Sequence, residues 1–193
     1  MDAVKKPFIA AVSGIKNSGK TTFLEKLVKE LTERNYKVAV IKHDGHEFQP
    51  DREGTDTYRM QHAGAYGTCI FSRGQWQMLK KEPGMDVERL AQFFPEADFI
   101  LVEGMKNSLY PKFEMIRGSV SKESVCIPET ILALVTDTEQ KLPGIPVLGL
   151  DEIKKAADIL EKLAETNKKQ EKYEFFSAFL IIFIPGILVN LLW

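Results

Sequence analysis

The sequence predicts an α/β domain in which a mostly parallel sheet carries helices on both faces. Short apolar runs alternate with amphipathic segments as far as about residue 168, as expected for strands joined by helices. A glycine-rich turn, Gly14–Thr21, stands between the first apolar run and the first amphipathic segment. The chain has 193 residues, 44% of them hydrophobic, which is enough for one domain with a proper core.

Hydrophobic periodicity predicts each element in turn. Continuous apolar runs predict buried strands at Phe8–Ser13, Val38–Ile41, Phe99–Val102, Glu114–Ile116, Ile131–Val135 and Val147–Leu150. One-sided apolar spacing predicts helices at Thr21–Arg34, Thr57–Ala65 and Val87–Phe94, and a last helix from about Glu152. An additional β-hairpin is predicted from Thr68–Ser72 and Gln75–Leu79, which Arg73-Gly74 joins.

The turn after the first strand has the sequence Gly-Ile-Lys-Asn-Ser-Gly-Lys-Thr, which matches the phosphate-binding P-loop pattern. Glycines let backbone N–H groups wrap closely around phosphates, and the helix that follows adds its free N–H groups. We expect Lys20 to reach the β- and γ-phosphates and to serve catalysis, and Thr21 to bind Mg²⁺. The predicted nucleotide-binding residues are Gly14, Asn17, Ser18, Gly19, Lys20, Thr21 and Thr22.

Two carboxylates follow buried strands at the edge where open α/β sheets place their ligands. Glu103 ends one strand and is the predicted acidic partner of the P-loop, holding Mg²⁺ with Thr21. Asp98 begins the same strand and should therefore lie at the opposite edge. Asp44 follows the second strand and is a candidate for Mg²⁺ or for orienting the attacking water. A turn-forming role is the alternative for Asp44, and a capping role for Glu103.

Three further stretches carry a family resemblance. They are Ile41–His46 with Asp51, Gly54–Arg59 and Ala63–Ala65; Asp98–Lys106 with Pro111-Lys112 and Arg117; and Ala133–Asp137 with Pro146-Val147. Together with the P-loop, the segment from about Phe8 to Leu163 resembles the MobB family, the molybdopterin-guanine dinucleotide biosynthesis protein B. This combination is more specific than the P-loop alone.

The resemblance implies a P-loop NTPase fold and a GTP-binding adaptor with weak GTPase activity that forms a homodimer. Such a protein works beside a MobA-like guanylyltransferase, which itself attaches GMP to molybdopterin. The expected cofactors are GTP and Mg²⁺. Because the resembling family varies at the position of Asp44, the resemblance gives that residue no support.

Several polar residues are candidate ligands for the substrate or for the guanine base. His43 is a candidate contact for a phosphate or a pterin, and Lys106, Lys112 and Arg117 form a predicted basic group for the phosphate of molybdopterin or of the nucleotide. Asp137 could accept hydrogen bonds from guanine, although a turn-starting role is equally compatible with its position. Solvated side chains are the alternative for the basic group and for His43. A zinc site at His43 and His46 is disfavoured, since no cysteine or third histidine stands nearby and a loop does not fix the pair on one face.

Composition narrows the function classes. The net charge of −1 gives no drive toward nucleic acid, and two widely separated cysteines indicate reduced thiols in the cytoplasm. An ATP-dependent small-molecule kinase or ligase remains an alternative, although the arginines are scattered and do not suggest a lid. A nucleotide-binding scaffold without useful turnover is the other alternative.

The C-terminal segment, residues 169–193, is set apart from the predicted domain at residues 1–168. Phe175–Trp193 contains no charged residue, and Lys168, Lys169 and Lys172 precede it. Its 19 residues approach the length that a membrane-spanning helix needs, although Pro185-Gly186 interrupts it. A membrane anchor, an apolar packing segment and a non-native terminus are the three alternatives.

Overall fold

The structure is a computed structural model and describes residues 6–45, 48, 50–121 and 123–183, with the backbone alone for 171, 172 and 174–183. The strands are β1 (Phe8–Gly14), β2 (Val38–Lys42), β3 (Gly67–Phe71), β4 (Trp76–Lys80), β5 (Phe99–Glu103), β6 (Lys112–Ile116), β7 (Ile131–Thr136) and β8 (Val147–Leu148). The helices are α1 (Lys20–Glu33), α2 (Asp56–His62), α3 (Val87–Ala91) and α4 (Ile153–Phe183).

Six strands form a parallel sheet in the order β2-β5-β1-β6-β7-β8. The strand that leads into the P-loop is therefore central, with β5 on one side and β6 on the other. Val12 stands in register with Glu103, and so does Lys42 of β2. The carboxyl ends of these three strands consequently meet at one edge of the sheet, where ligands bind in open α/β folds.

Alternating side chains divide the core between the two faces of the sheet. Helices α1 and α4 cover one face and pack on β-strand residues such as Val12, Leu101 and Phe113. On the other face, Val87 of α3 packs against Ile100 and its neighbours. Helix α3 ends at Ala91, earlier than expected, because Phe94 precedes a proline and such residues disfavour helical backbone. The predicted mostly parallel sheet with helices on both faces is confirmed.

Strands β3 and β4 form a separate two-stranded antiparallel sheet, as the hairpin prediction required. Helix α2 lies beside it, and Gln61 of α2 donates a hydrogen bond to Thr68 of β3 at 2.6 Å. Most side chains of the hairpin are exposed, including Phe71 and Trp76. Two-stranded sheets gain little stability alone, so this exposed apolar surface stands out in the fold.

Helix α4 continues well past the predicted end of the domain. Among its residues with described side chains, the buried ones are Ile153, Ala156, Ala157, Leu160 and Ala164. Beyond it, Glu165–Gln170 is exposed, and the helix persists there because most of these residues are good helix formers. No helix within the described residues is long and apolar enough to cross a membrane. Much of the segment behind the anchor prediction, residues 184–193, lies outside them.

Candidate functional site

Three residues of the predicted P-loop have positive φ angles, which let the backbone turn tightly after β1. Gly14 has a φ of 139°, and a Cβ there would lie 2.5 Å from the carbonyl oxygen of Met115. Gly19 has a φ of 90° and is the residue from which α1 starts. Asn17 has a φ of 64°, a left-handed conformation that asparagine tolerates better than most residues. The loop therefore places the free N–H groups of the first turn of α1 at the edge of the sheet.

The polar side chains of the loop stabilise it from within. Ser18 is fully buried, and its hydroxyl donates to the carbonyl of Ile15 at 2.9 Å. The ammonium group of Lys20 donates to the same carbonyl at 2.6 Å. Burial lowers the pKa of Lys20, while the nearby charge of Glu103 opposes this shift and that of Lys42 adds to it. Lys20 is thus held inside the loop by a carbonyl that phosphate oxygens could replace as its acceptor.

The predicted magnesium ligands lie side by side. The hydroxyl of Thr21, in the first turn of α1, donates to both carboxylate oxygens of Glu103 at 3.1 Å. Glu103 is nearly buried, and Lys42 stands 3.8 Å from one of its oxygens. Hydroxyl and carboxylate oxygens are the donors that Mg²⁺ prefers, so these two residues fit that ion. The predicted opposite placement of Asp98 also holds, because its carboxylate accepts from the backbone N–H of Lys37 before β2.

Two residues of this edge have no predicted role from the sequence. Ser13 is fully buried next to the P-loop, and its hydroxyl donates to the carbonyl of Gly104 at 2.5 Å. This bond ties the end of β1 to the turn that follows Glu103. Lys42 faces Glu103 because β2 and β5 pair in register. The signal for both is the strand order, which a single sequence does not give.

A cleft of about 480 Å³ opens beside the P-loop. It is lined by Gly14, His43, Gly104, Met105, Lys106, Asn107 and Ser108. His43 and Lys106 therefore line the same cleft next to the P-loop, and a shared substrate contact requires such a placement. The hydroxyl oxygen of Ser108 is buried and has no hydrogen-bond partner among the described residues. A polar ligand in this cleft would lie beside the side chains of His43 and Lys106, which can donate hydrogen bonds.

Lys112 does not belong to the exposed basic group, and that part of the prediction is wrong. Its side chain is fully buried, and its ammonium group donates to the carbonyl of Ser108 at 2.5 Å and to the hydroxyl of Thr130 at 3.0 Å. Burial lowers the pKa of Lys112, and the nearby Cys126 and Glu114 oppose the shift. A buried amine is tolerated when its hydrogen bonds are made, so Lys112 braces the wall of the cleft from inside the protein.

Glu114 completes this buried polar layer. Its carboxylate accepts hydrogen bonds from the hydroxyl of Ser124 and from the backbone N–H groups of Val125 and Cys126. Burial, and secondly the charge of Glu114, raises the pKa of the Cys126 thiol to about 12. Cys126 is therefore a protonated thiol at neutral pH.

Arg117 and Asp137 lie on the other side of the P-loop from Glu103. They follow β6 and β7, respectively, and Arg117 Nε stands 3.6 Å from Asp137 Oδ2. The other carboxylate oxygen of Asp137 accepts from the backbone N–H of Gly118 at 2.8 Å. A Cβ on Gly19 would lie 3.4 Å from Arg117 Nη1, so the guanidinium group is next to the phosphate loop.

The remaining candidates are exposed. Asp44 lies past the end of β2, at the same edge as Glu103, and Thr22 is exposed in the first turn of α1. Of the histidine pair His43 and His46, the second residue lies outside the described residues. Among those residues, no group of three or more histidine, cysteine, aspartate or glutamate side chains could hold a metal ion.

Comparison with known proteins gives a consistent result. The family model of molybdopterin guanine dinucleotide synthesis protein B, MobB, matches residues 9–137. The chain is 35% identical over 156 residues to the molybdopterin-guanine dinucleotide biosynthesis adapter protein of Haemophilus influenzae, which is 79% of this chain and 87% of that protein. The corresponding adapter protein of Escherichia coli is 30% identical over 166 residues, covering 82% and 93% of the two chains. A crystal structure of Bacillus subtilis MobB superposes with a TM-score of 0.66 at 30% identity, covering 80% of this chain and 96% of that one.

Proposed function

The chain belongs to the MobB family, and from this premise we propose that it is a GTP-binding adapter in the synthesis of molybdopterin guanine dinucleotide. Its own catalysis is at most a weak GTPase activity. The transfer of GMP to molybdopterin is the task of a separate, MobA-like guanylyltransferase. The adapter relatives of Haemophilus influenzae and Escherichia coli support the role in this pathway.

The observation that carries nucleotide binding is the pairing of the P-loop with Glu103. Thr21 and Glu103 come from α1 and β5, which are far apart in the sequence, and their oxygens lie 3.1 Å apart at the carboxyl edge of the sheet. A glycine-rich turn without phosphate-binding function has no need of a nearly buried carboxylate opposite its threonine. The arrangement supports a nucleoside triphosphate bound with Mg²⁺, as P-loops bind it.

The residues divide the work on such a nucleotide. The backbone N–H groups from Asn17 to Thr21 donate to the phosphates, and Lys20 exchanges the carbonyl of Ile15 for phosphate oxygens. Thr21 and Glu103 would hold Mg²⁺, which offsets phosphate charge when bound. Asp44, at the same edge, is positioned to orient a water molecule for hydrolysis. Because one carboxylate on an exposed loop is a modest base, the expected turnover is slow.

The cleft beside the P-loop is the proposed contact region for the second substrate. His43 and Lys106 line it and would donate to the phosphate group of molybdopterin. The buried hydrogen bonds of Lys112 hold the wall that carries Lys106. We also propose that the protein is a homodimer formed through the β3–β4 hairpin, whose apolar side chains are exposed in the single chain.

Calorimetric titration of the full chain with GTP and with ATP, each with Mg²⁺, tests the proposal. Preferential binding of GTP is the expected result. Equal or tighter binding of ATP would contradict it and would favour the small-molecule kinase or ligase on the same fold. A matched titration after addition of excess EDTA measures how much of the binding affinity depends on Mg²⁺.

A further inference from the structure

We propose that Arg117 is a second phosphate-binding cation of the P-loop and that Asp137 is its positioning residue, not an acceptor for the guanine base. The proposal rests on nucleotide binding as proposed above and specifies one more part of that site. Lys20 and Glu103 occupy the β5 side of the loop. Arg117 follows β6 and brings a guanidinium group to the β6 side.

The position of Arg117 follows from the sheet. Strand β6 pairs in parallel with β1, with Gly14 in register with Met115. The residue that follows β6 therefore emerges at the same edge as the P-loop. The guanidinium reaches Gly19, since a Cβ on that glycine would lie only 3.4 Å from Arg117 Nη1. Gly19 starts α1, so the guanidinium stands beside the free N–H groups that bind phosphate.

The contact between Arg117 and Asp137 orients the guanidinium group but leaves its Nη donors available. The two side chains are 43% and 40% exposed, and Nε to Oδ2 is 3.6 Å, longer than a hydrogen bond. An exposed pair of this kind contributes little to stability. In the part of the chain that the structure describes, no hydrogen bond engages the Nη groups of Arg117. These groups can therefore donate to a phosphate while Asp137 keeps the side chain turned toward the loop.

The carboxylate of Asp137 is poorly suited to reading guanine. Recognition of the N1–H and N2–H groups of guanine uses both oxygens of a carboxylate. In Asp137, one oxygen accepts from the backbone N–H of Gly118 at 2.8 Å, and the other faces Arg117, so a guanine base would have to share both oxygens with these partners. The hydrogen bond to Gly118 fixes the carboxylate relative to the strand end from which Arg117 emerges. This is the geometry of a residue that acts through its neighbour.

The test measures binding of GTP, xanthosine triphosphate and inorganic triphosphate, each with Mg²⁺, to the full chain and to five variants. Arg117→Met should weaken all three ligands about tenfold, and Arg117→Lys should recover part of the loss, because one charge-assisted hydrogen bond is at stake. Asp137→Asn should weaken all three ligands alike, by a smaller factor. Its effect should disappear in the double variant with Arg117→Met, because the two residues act as one unit. Lys141→Met, an exposed lysine after β7, is the matched control.

Each alternative gives a different result. If Asp137 reads the base, Asp137→Asn will shift preference from GTP to xanthosine triphosphate, because an amide can donate to the carbonyl that xanthine carries in place of the amino group of guanine. That shift would overturn the proposal, and so would unchanged triphosphate binding in Arg117→Met or additive effects in the double variant. Failure of the unaltered chain to bind GTP would instead refute the proposed function. Urea unfolding of each variant confirms that the fold is kept.

Discussion

Lys20 is expected to exchange its hydrogen-bond partner when a nucleotide binds. Its ammonium group meets only the carbonyl of its own loop among the described hydrogen bonds. Replacement by alanine therefore removes little from the fold and a full charge from the phosphate site. We expect Lys20→Ala to weaken GTP binding about tenfold or more, corresponding to roughly 1.5–3 kcal/mol for a charge-assisted hydrogen bond.

Calorimetry with GTP measures the loss, and urea unfolding measures the stability of the same variant. Lys29→Ala is the control, because Lys29 lies on the exposed side of the same helix and forms only a long ion pair with Glu33. Equal GTP affinity in the Lys20 variant and the parent would contradict the proposed role of the loop.

Glu103 is expected to act through Mg²⁺, and therefore through its negative charge. Its carboxylate accepts from Thr21, and glutamine preserves its shape and an acceptor oxygen but removes its charge. We expect Glu103→Gln to reduce Mg²⁺-dependent hydrolysis of GTP about tenfold or more and to change binding of Mg²⁺-free GTP much less. Steady-state hydrolysis and calorimetry in EDTA give the two quantities. A parallel fall in both would mean that Glu103 only supports the fold.

Some residues of the candidate site can be predicted from the sequence, and others cannot. The P-loop and its threonine are predictable because their chemistry lies in eight consecutive residues. Ser13 and Lys42 are not, since both depend on which strands are neighbours. Lys112 is mispredicted for a different reason. A lysine directly after a proline is typical of a solvated loop. Only the three-dimensional structure shows that the ammonium group of Lys112 donates hydrogen bonds to Ser108 and Thr130 inside the protein.

At the scale of elements, most strands are predictable within a few residues because continuous apolar runs are typical of buried parallel strands. The hairpin is predicted too, from turn residues between two short runs, but its orientation on the domain is not encoded locally. It differs from the main sheet because its apolar side chains face outward. Phe71 is 81% and Trp76 61% exposed.

This exposed hairpin predicts self-association. We expect the full chain to sediment as a dimer at micromolar concentration and Phe71→Glu to shift it toward monomer, because a charge in an apolar interface is unfavourable. Leu109→Glu is the control, since Leu109 is equally exposed, at 81%, outside the hairpin. Sedimentation velocity measures both variants. A monomeric parent, or equal dissociation by the two variants, would contradict an interface at the hairpin.

At the scale of the whole molecule, the family prediction is confirmed, and it depends on motifs spread across the sheet edge. The length of α4, Ile153–Phe183, was not predicted from the sequence. Its first part is as much a core element as α1, and Arg34 joins the two helices by donating to Asp158 and Glu161 at 2.7 Å. From Glu165 to Gln170 the helix continues although its residues are exposed. It continues because most of these residues have a high intrinsic helix propensity.

The boundary of the folding unit can be tested with two truncated chains. Among the residues of α4 whose side chains the structure describes, the last buried one is Ala164, so a chain that ends at Lys168 should keep the urea midpoint and GTP affinity of the full chain. A chain that ends at Asp158 loses Leu160 and Ala164 from the core, and we expect it to be less stable by about 2–5 kcal/mol or more, the range for emptying one large apolar position. Urea unfolding followed by tryptophan fluorescence, with Trp76 in both chains, measures the difference. A lower midpoint for the chain ending at Lys168 would place residues beyond 168 within the domain.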